Sequence, residues 1–178
     1  VGGSIFYGCV TDVASNSIVV GGSRTVDKPY KQVARVARLD EKLKTIWATD
    51  IPSGYSVSFS SVERLSNGGV LAAARKTHDL NSGASAYRVL MVSVDANGKV
   101  LWQTESFADN TNPNLSAVAT TMGGWPSAVA GFKIVTGTTK QNYHPWLLWL
   151  DAQGKVTSNK VPKTGHDLRL LGLVTRGG

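Results

Sequence analysis

Ser93-Val-Asp-Ala-Asn-Gly-Lys-Val-Leu-Trp102 decides the fold, because versions of it occur three times in the chain. Arg38-Leu-Asp-Glu-Lys-Leu-Lys-Thr-Ile-Trp47 precedes it, and Trp149-Leu-Asp-Ala-Gln-Gly-Lys-Val-Thr-Ser158 follows it. Each reads as one hairpin: an apolar run ends at an aspartate, turn residues follow, and a second run rich in β-formers begins. Asp40, Asp95 and Asp151 recur 55 and 56 residues apart. A period of that size points to a propeller or another array of repeated sheets.

Working outward from the hairpins, each repeat divides into four strands, A to D. The first has A at Ser4 to Thr11, B at Ser17 to Thr25, C at Val33 to Asp40 and D at Lys44 to Asp50. The second has them at Ser58 to Leu65, Val70 to Thr77, Arg88 to Asp95 and Lys99 to Phe107, and the third at Leu115 to Thr121, Phe132 to Thr139, Trp146 to Asp151 and Lys155 to Val161. Val, Ile, Leu, Trp and Thr dominate these runs, and no stretch sustains a 3.6-residue apolar period, so almost no helix is expected. Asp95-Ala-Asn-Gly98 and Asp151-Ala-Gln-Gly154 suit a type I turn closed by a left-handed glycine; Asp40-Glu-Lys-Leu43 lacks the glycine and is predicted to be less regular. Trp47 and Trp102 hold equivalent places on strand D, where the third repeat has Ser158. The expected fold is all-β: a propeller-like array of four-stranded antiparallel blades, three repeats plus one strand of a fourth. It forms a single domain over 1–178 or part of one, with repeats near 4–54, 55–110, 111–163 and a partial one at 164–178.

The repeat resembles that of bacterial PQQ-like, or quinoprotein-like, β-propellers. The likeness rests on Ser93-Val-Asp-Ala-Asn-Gly-Lys-Val-Leu-Trp102 and, more loosely, on Asn67-Gly-Gly-Val-Leu-Ala72. It covers most of the chain as a pattern of blades. The resemblance implies structural roles for the Asp, Gly and Trp, and it carries no cofactor or metal site onto any residue here.

A chain of 178 residues with 42% hydrophobic and 17% charged residues can build one domain with a sizeable core. No run approaches the ~18–20 apolar residues of a membrane helix, so no membrane span is expected. Cys9 is the single cysteine, which rules out an internal disulfide, and its apolar surroundings predict core packing. The chain begins at Val1 without a leader, read here as processing that has removed any targeting peptide. The formal net charge of +7 makes this a basic protein and favours acidic partners.

Three histidines, His78, His144 and His166, are expected in B–C and D–A loops that open on one face of the array. Arg24, Lys28, Lys31, Arg75, Lys76 and Lys140 gather on the same face with Tyr30, Tyr87 and Tyr143, cations and rings that can hold an anionic or glycan ligand. The histidines lack metal-motif spacing, and no metal or cofactor is expected. Trp125, in a Gly-Pro loop on the opposite rim, is a candidate exposed anchor. The expected function is non-catalytic binding or scaffolding in a larger assembly, through a protein partner or self-association that completes the propeller, in a secreted or periplasmic, extracytoplasmic setting. The alternative is a subunit or fragment of a propeller enzyme acting on polysaccharide or a small oxidisable substrate; Glu63, a carboxylate well inside a strand A, is the residue to watch. Nucleic-acid binding ranks last, its one support being net charge.

Overall fold

Alternating apolar and polar residues between turn signals give the described residues strands and little else. A computed structural model describes residues 4–12, 15–26, 31–52, 57–78, 86–106, 112–120, 127–135 and 142–162. Twelve strands form three antiparallel sheets, each in simple meander order. Sheet one comprises β1 (Ser4–Asp12), β2 (Ser17–Val26), β3 (Lys31–Asp40) and β4 (Thr45–Ile51). Sheet two comprises β5 (Val57–Arg64), β6 (Val70–His78), β7 (Ala86–Val94) and β8 (Val100–Ser106). Sheet three comprises β9 (Asn112–Thr120), β10 (Ser127–Val135), β11 (Asn142–Leu150) and β12 (Val156–Lys160). The fourth-repeat strand expected over 164–178 lies outside the described residues.

The sheets stack in sequence order. β5 packs on β1, β2 and β3, and β9 packs on β5, β6 and β7. Two cores result. Val19, Ala34, Val36 and Ile51 of sheet one meet Phe59, Ala72, Leu90 and Val92 of sheet two. Leu71, Ala73, Val89 and Met91 on the other side of sheet two meet Val129, Trp146, Leu148 and Leu150 of sheet three. Sheet two is therefore apolar on both faces, which explains why β6 and β7 read as continuous hydrophobic runs.

Three expectations are corrected. Strand B of the third repeat starts at Ser127, not Phe132, and runs through Gly131. Glycine reads as a breaker, but here it lies directly across from Trp146, a fully buried indole. Cys9 is exposed rather than packed in the core: it lies on the edge strand of sheet one, across from Val20. The Asp40–Leu43 turn is as regular as its glycine-bearing counterparts. Leu43 adopts φ +59°, beside +84° at Gly98 and +78° at Gly154. The cause is the aspartate: the Asp40 carboxylate accepts the N–H groups of Lys42 and Lys44 at 2.9 and 2.8 Å. Asp95 and Asp151 bind Asn97 with Lys99 and Gln153 with Lys155 in the same way. Two charge-assisted bonds hold each turn, enough to hold a leucine in a backbone region that costs about 1–2 kcal/mol.

Candidate functional site

The turns capped by these aspartates are where neighbouring sheets grip one another. Trp47 on β4 donates its indole N–H to the Ala96 carbonyl in the turn of sheet two, at 2.9 Å, and Thr49 Oγ1 donates to the Gly98 carbonyl at 2.5 Å. One repeat later the pattern recurs: Trp102 Nε1 donates to Ala152 O at 3.0 Å, and Thr104 Oγ1 to Gly154 O at 2.7 Å. Each ring lies flat on its turn glycine. A Cβ on Gly98 would come within 2.7 Å of the Trp47 ring, and one on Gly154 within 2.4 Å of the Trp102 ring. The repeated Asp, Gly and Trp thus form one device, an indole seated on a turn that only glycine leaves open. Arg38 adds to the first junction, holding Ser15 and Ser17 of its own sheet while reaching the Ala96 carbonyl at 3.5 Å.

At the opposite end of the strands the expected basic face takes a different form. Arg24 and Arg35 converge on Asp50: Arg24 Nη2 lies 2.9 Å from Oδ2 and Arg35 Nε lies 2.6 Å from Oδ1. Lys76 and Arg88 converge on Glu105, at 2.5 and 3.3 Å. Asp50 and Glu105 are one period apart, so this too is a repeated device, a strand-D carboxylate between two cations. Burial acts to raise the pKa of each acid, but hydrogen bonds and charge from the paired cations prevail, and both are held below the ordinary carboxylate value. Arg24 and Lys76, expected to greet an anionic ligand, are therefore engaged within the protein, and Lys76 is buried. Arg75, its neighbour, is exposed. In sheet three Lys133 lies directly across from His144, while Val161 stands one period after Glu105 and packs against the second core.

His78 and His144 do not sit in loops as expected: His78 is the last residue of β6 and His144 lies within β11. Lys31 is the first residue of β3, and Tyr87 and Tyr143 are the second residues of β7 and β11, at the same end of the sheets. Lys28, Tyr30, Trp125, Lys140 and His166 lie outside the described residues. Among the described residues no group of three or more His, Cys, Asp or Glu side chains could share a metal ion. No helix among them is long and apolar enough to cross a membrane. Sequence reasoning missed Asp50 and Glu105 as charge partners. The 55-residue repeat that relates them was the available signal.

Glu63 lies on β5, across from Leu71, half-buried, and burial raises its pKa. The sign follows: a carboxyl whose folded pKa is raised destabilises the fold where it must ionise, and stability recovers as pH falls through the folded value. Glu63→Gln is therefore expected to raise the melting temperature at pH 7 by about 1–2 °C and to have no effect near pH 3. Differential scanning fluorimetry across pH checks this, and an unchanged or lower melting point at pH 7 would contradict it.

No family model matches the chain, and no curated protein matches it. Among solved structures it is similar to the crystal structure of Sqt1 from Chaetomium thermophilum, at 14% identity and a TM-score of 0.46. The likeness covers 92% of this chain and 37% of that one, so the chain spans little more than a third of its length.

Proposed function

We propose that this chain is a non-catalytic scaffold, a propeller-like set of blades that holds protein partners within a larger assembly. The observation that carries the reading is the indole lock, repeated with the same donors and acceptors between successive sheets. A sequence that spends its recurring residues on joining sheet to sheet is organised around a rigid surface. The succession of strand A against strand A, β1 to β5 to β9, supports blades fanned about a common axis. The lock also supports the likeness to PQQ-like repeats, because it gives their Asp, Gly and Trp a structural task. An extracytoplasmic setting goes with that likeness. Recognition of an anionic glycan is a narrower role for the strand ends on this face, since Arg24 and Lys76 serve internal ion pairs.

The raised pKa of Glu63 on β5, the strand that packs against both β1 and β9, favours one second reading, a carboxyl acid in a propeller enzyme. Small-angle scattering, fitted against fanned and parallel stacks of the three sheets, tests the scaffold reading. A fan is expected, and a straight stack would overturn it.

A further inference from the structure

We infer that the junction of sheets two and three is a docking point for an acidic side chain, an Asp or Glu of a protein partner, received at Lys133 and His144. The inference rests on the scaffold reading and names what the partner must present. The precedent is internal. In sheet two Lys76 and Arg88 lie directly across from each other on β6 and β7. Glu105 of strand D bridges them, with Lys76 on Oε1 at 2.5 Å and Arg88 on Oε2 at 3.3 Å. Sheet three repeats half of this arrangement. Lys133 and His144 lie directly across from each other on β10 and β11, in the register places of Lys76 and Arg88. Strand D, however, brings Val161 where the repeat has Glu105. The basic pair is kept and its acid is not.

No acid among the described residues of sheet three can stand in for Glu105. The one acid there is Asp151, whose carboxylate holds the turn at the far end of the strands. His144 shares a strand face with Trp146 and Leu148, so it looks onto the gap between sheets two and three. Both His144 and Val161 are partly exposed there. From across the gap sheet two presents Arg75, which follows Leu71 and Ala73 on one face of β6, while Glu63 lies toward the turns. The form of the internal pair selects a carboxylate. One cation on each of two oxygens suits a planar two-oxygen anion, whereas phosphate and sulfate carry a third oxygen that needs further donors. The same strand-D place holds Asp50 in sheet one and Glu105 in sheet two, so the frame takes either length. A sugar acid is favoured by an exposed ring to stack on, and Trp146 is fully buried. An acid arriving from a partner thus completes an arrangement that the fold already uses twice.

The test follows the His144 imidazole by NMR while N-acetylglutamate α-amide, a lone Glu side chain, is added to the whole chain at fixed ionic strength. Saturable shifts with a Kd of roughly 1–10 mM are expected, and none with the neutral glutamine counterpart. Lys133→Met should weaken binding by at least about fivefold, the effect of removing one charged partner. Val161→Glu supplies the acid from within and should abolish the response. Val161→Gln, with the same packing lost and no charge gained, should retain it. A circular-dichroism melt of each variant reports folding independently. A Val161→Glu variant that binds like the wild type would overturn the site. So would a His144 signal that no probe moves, and the scaffold reading would then rest on the scattering fit alone. Galacturonate binding at least as tightly as the glutamate probe would overturn the protein partner in favour of a glycan. Inorganic phosphate doing so would overturn the choice of a carboxylate.

Discussion

Gly154→Leu is expected to cost about 3 kcal/mol, lowering the melting temperature by roughly 6–12 °C, and Trp102→Ser added to it should recover part of that loss. The first term is steric. A Cβ at Gly154 would lie 2.4 Å from Trp102 Cδ2 and Cε3, far inside contact distance, so the indole must leave its seat. Leaving breaks the 3.0 Å bond to Ala152 and uncovers the edge of the second core, where Trp102 packs. The second term is conformational: at φ +78° a leucine adds about 1–2 kcal/mol, as it does at Leu43. Trp102→Ser alone should cost about 2 kcal/mol, since the ring is half-buried rather than enclosed. If ring and turn form one device, the double variant is more stable than the sum of the two losses implies, by at least about 1 kcal/mol. Chemical denaturation of the four proteins in the cycle measures this coupling. Strict additivity would mean that ring and turn act separately.

The division into repeated antiparallel sheets was legible because the lock residues are themselves the sequence repeat. Asp95, Gly98 and Trp102 recur because turn geometry, close approach and hydrogen bonding allow few substitutes, so spacing alone revealed strands C and D. The middle of the third repeat was less legible. There Gly131 makes room beside Trp146 inside a strand, and composition does not separate a glycine that yields space from one that turns the chain. Leu43 misled for a related reason: propensity disfavours its backbone, and the paired bonds from Asp40 override propensity. The basic face was misjudged because pairing across three strands is invisible to a count of charges. Arg24 and Asp50 are 26 residues apart, and register alone brings them into contact. Charge in a repeated sheet is better read by column than by total, with each cation matched to the residue one period away.

Read by column, Glu105 becomes the residue whose loss should cost most among the charged groups. Glu105→Gln is expected to destabilise the protein by about 2–3 kcal/mol at pH 7, because it leaves the buried ammonium of Lys76 without its carboxylate. Arg88, a third exposed beside it and at the longer distance of 3.3 Å, contributes less. Lys76→Met in the same background should restore most of the loss: with both charges gone, an apolar stem beside Ala74 and Leu90 suits the first core. The pH dependence has a definite sign. Because the folded pKa of Glu105 is depressed below its ordinary 4.5, and that of Asp50 below 3.8, both ion pairs contribute in full above those values. Their contribution disappears as pH falls through the depressed values, so the wild type should lose stability steeply below about pH 4. Glu105→Gln should flatten that acid limb and leave stability between pH 6 and 8 independent of pH, which urea titrations at a series of pH values would read. If Glu105 instead serves a bound ligand, its substitution leaves the urea midpoint and the acid limb unchanged, and the paired charges are then not what fastens β6, β7 and β8 of sheet two to one another.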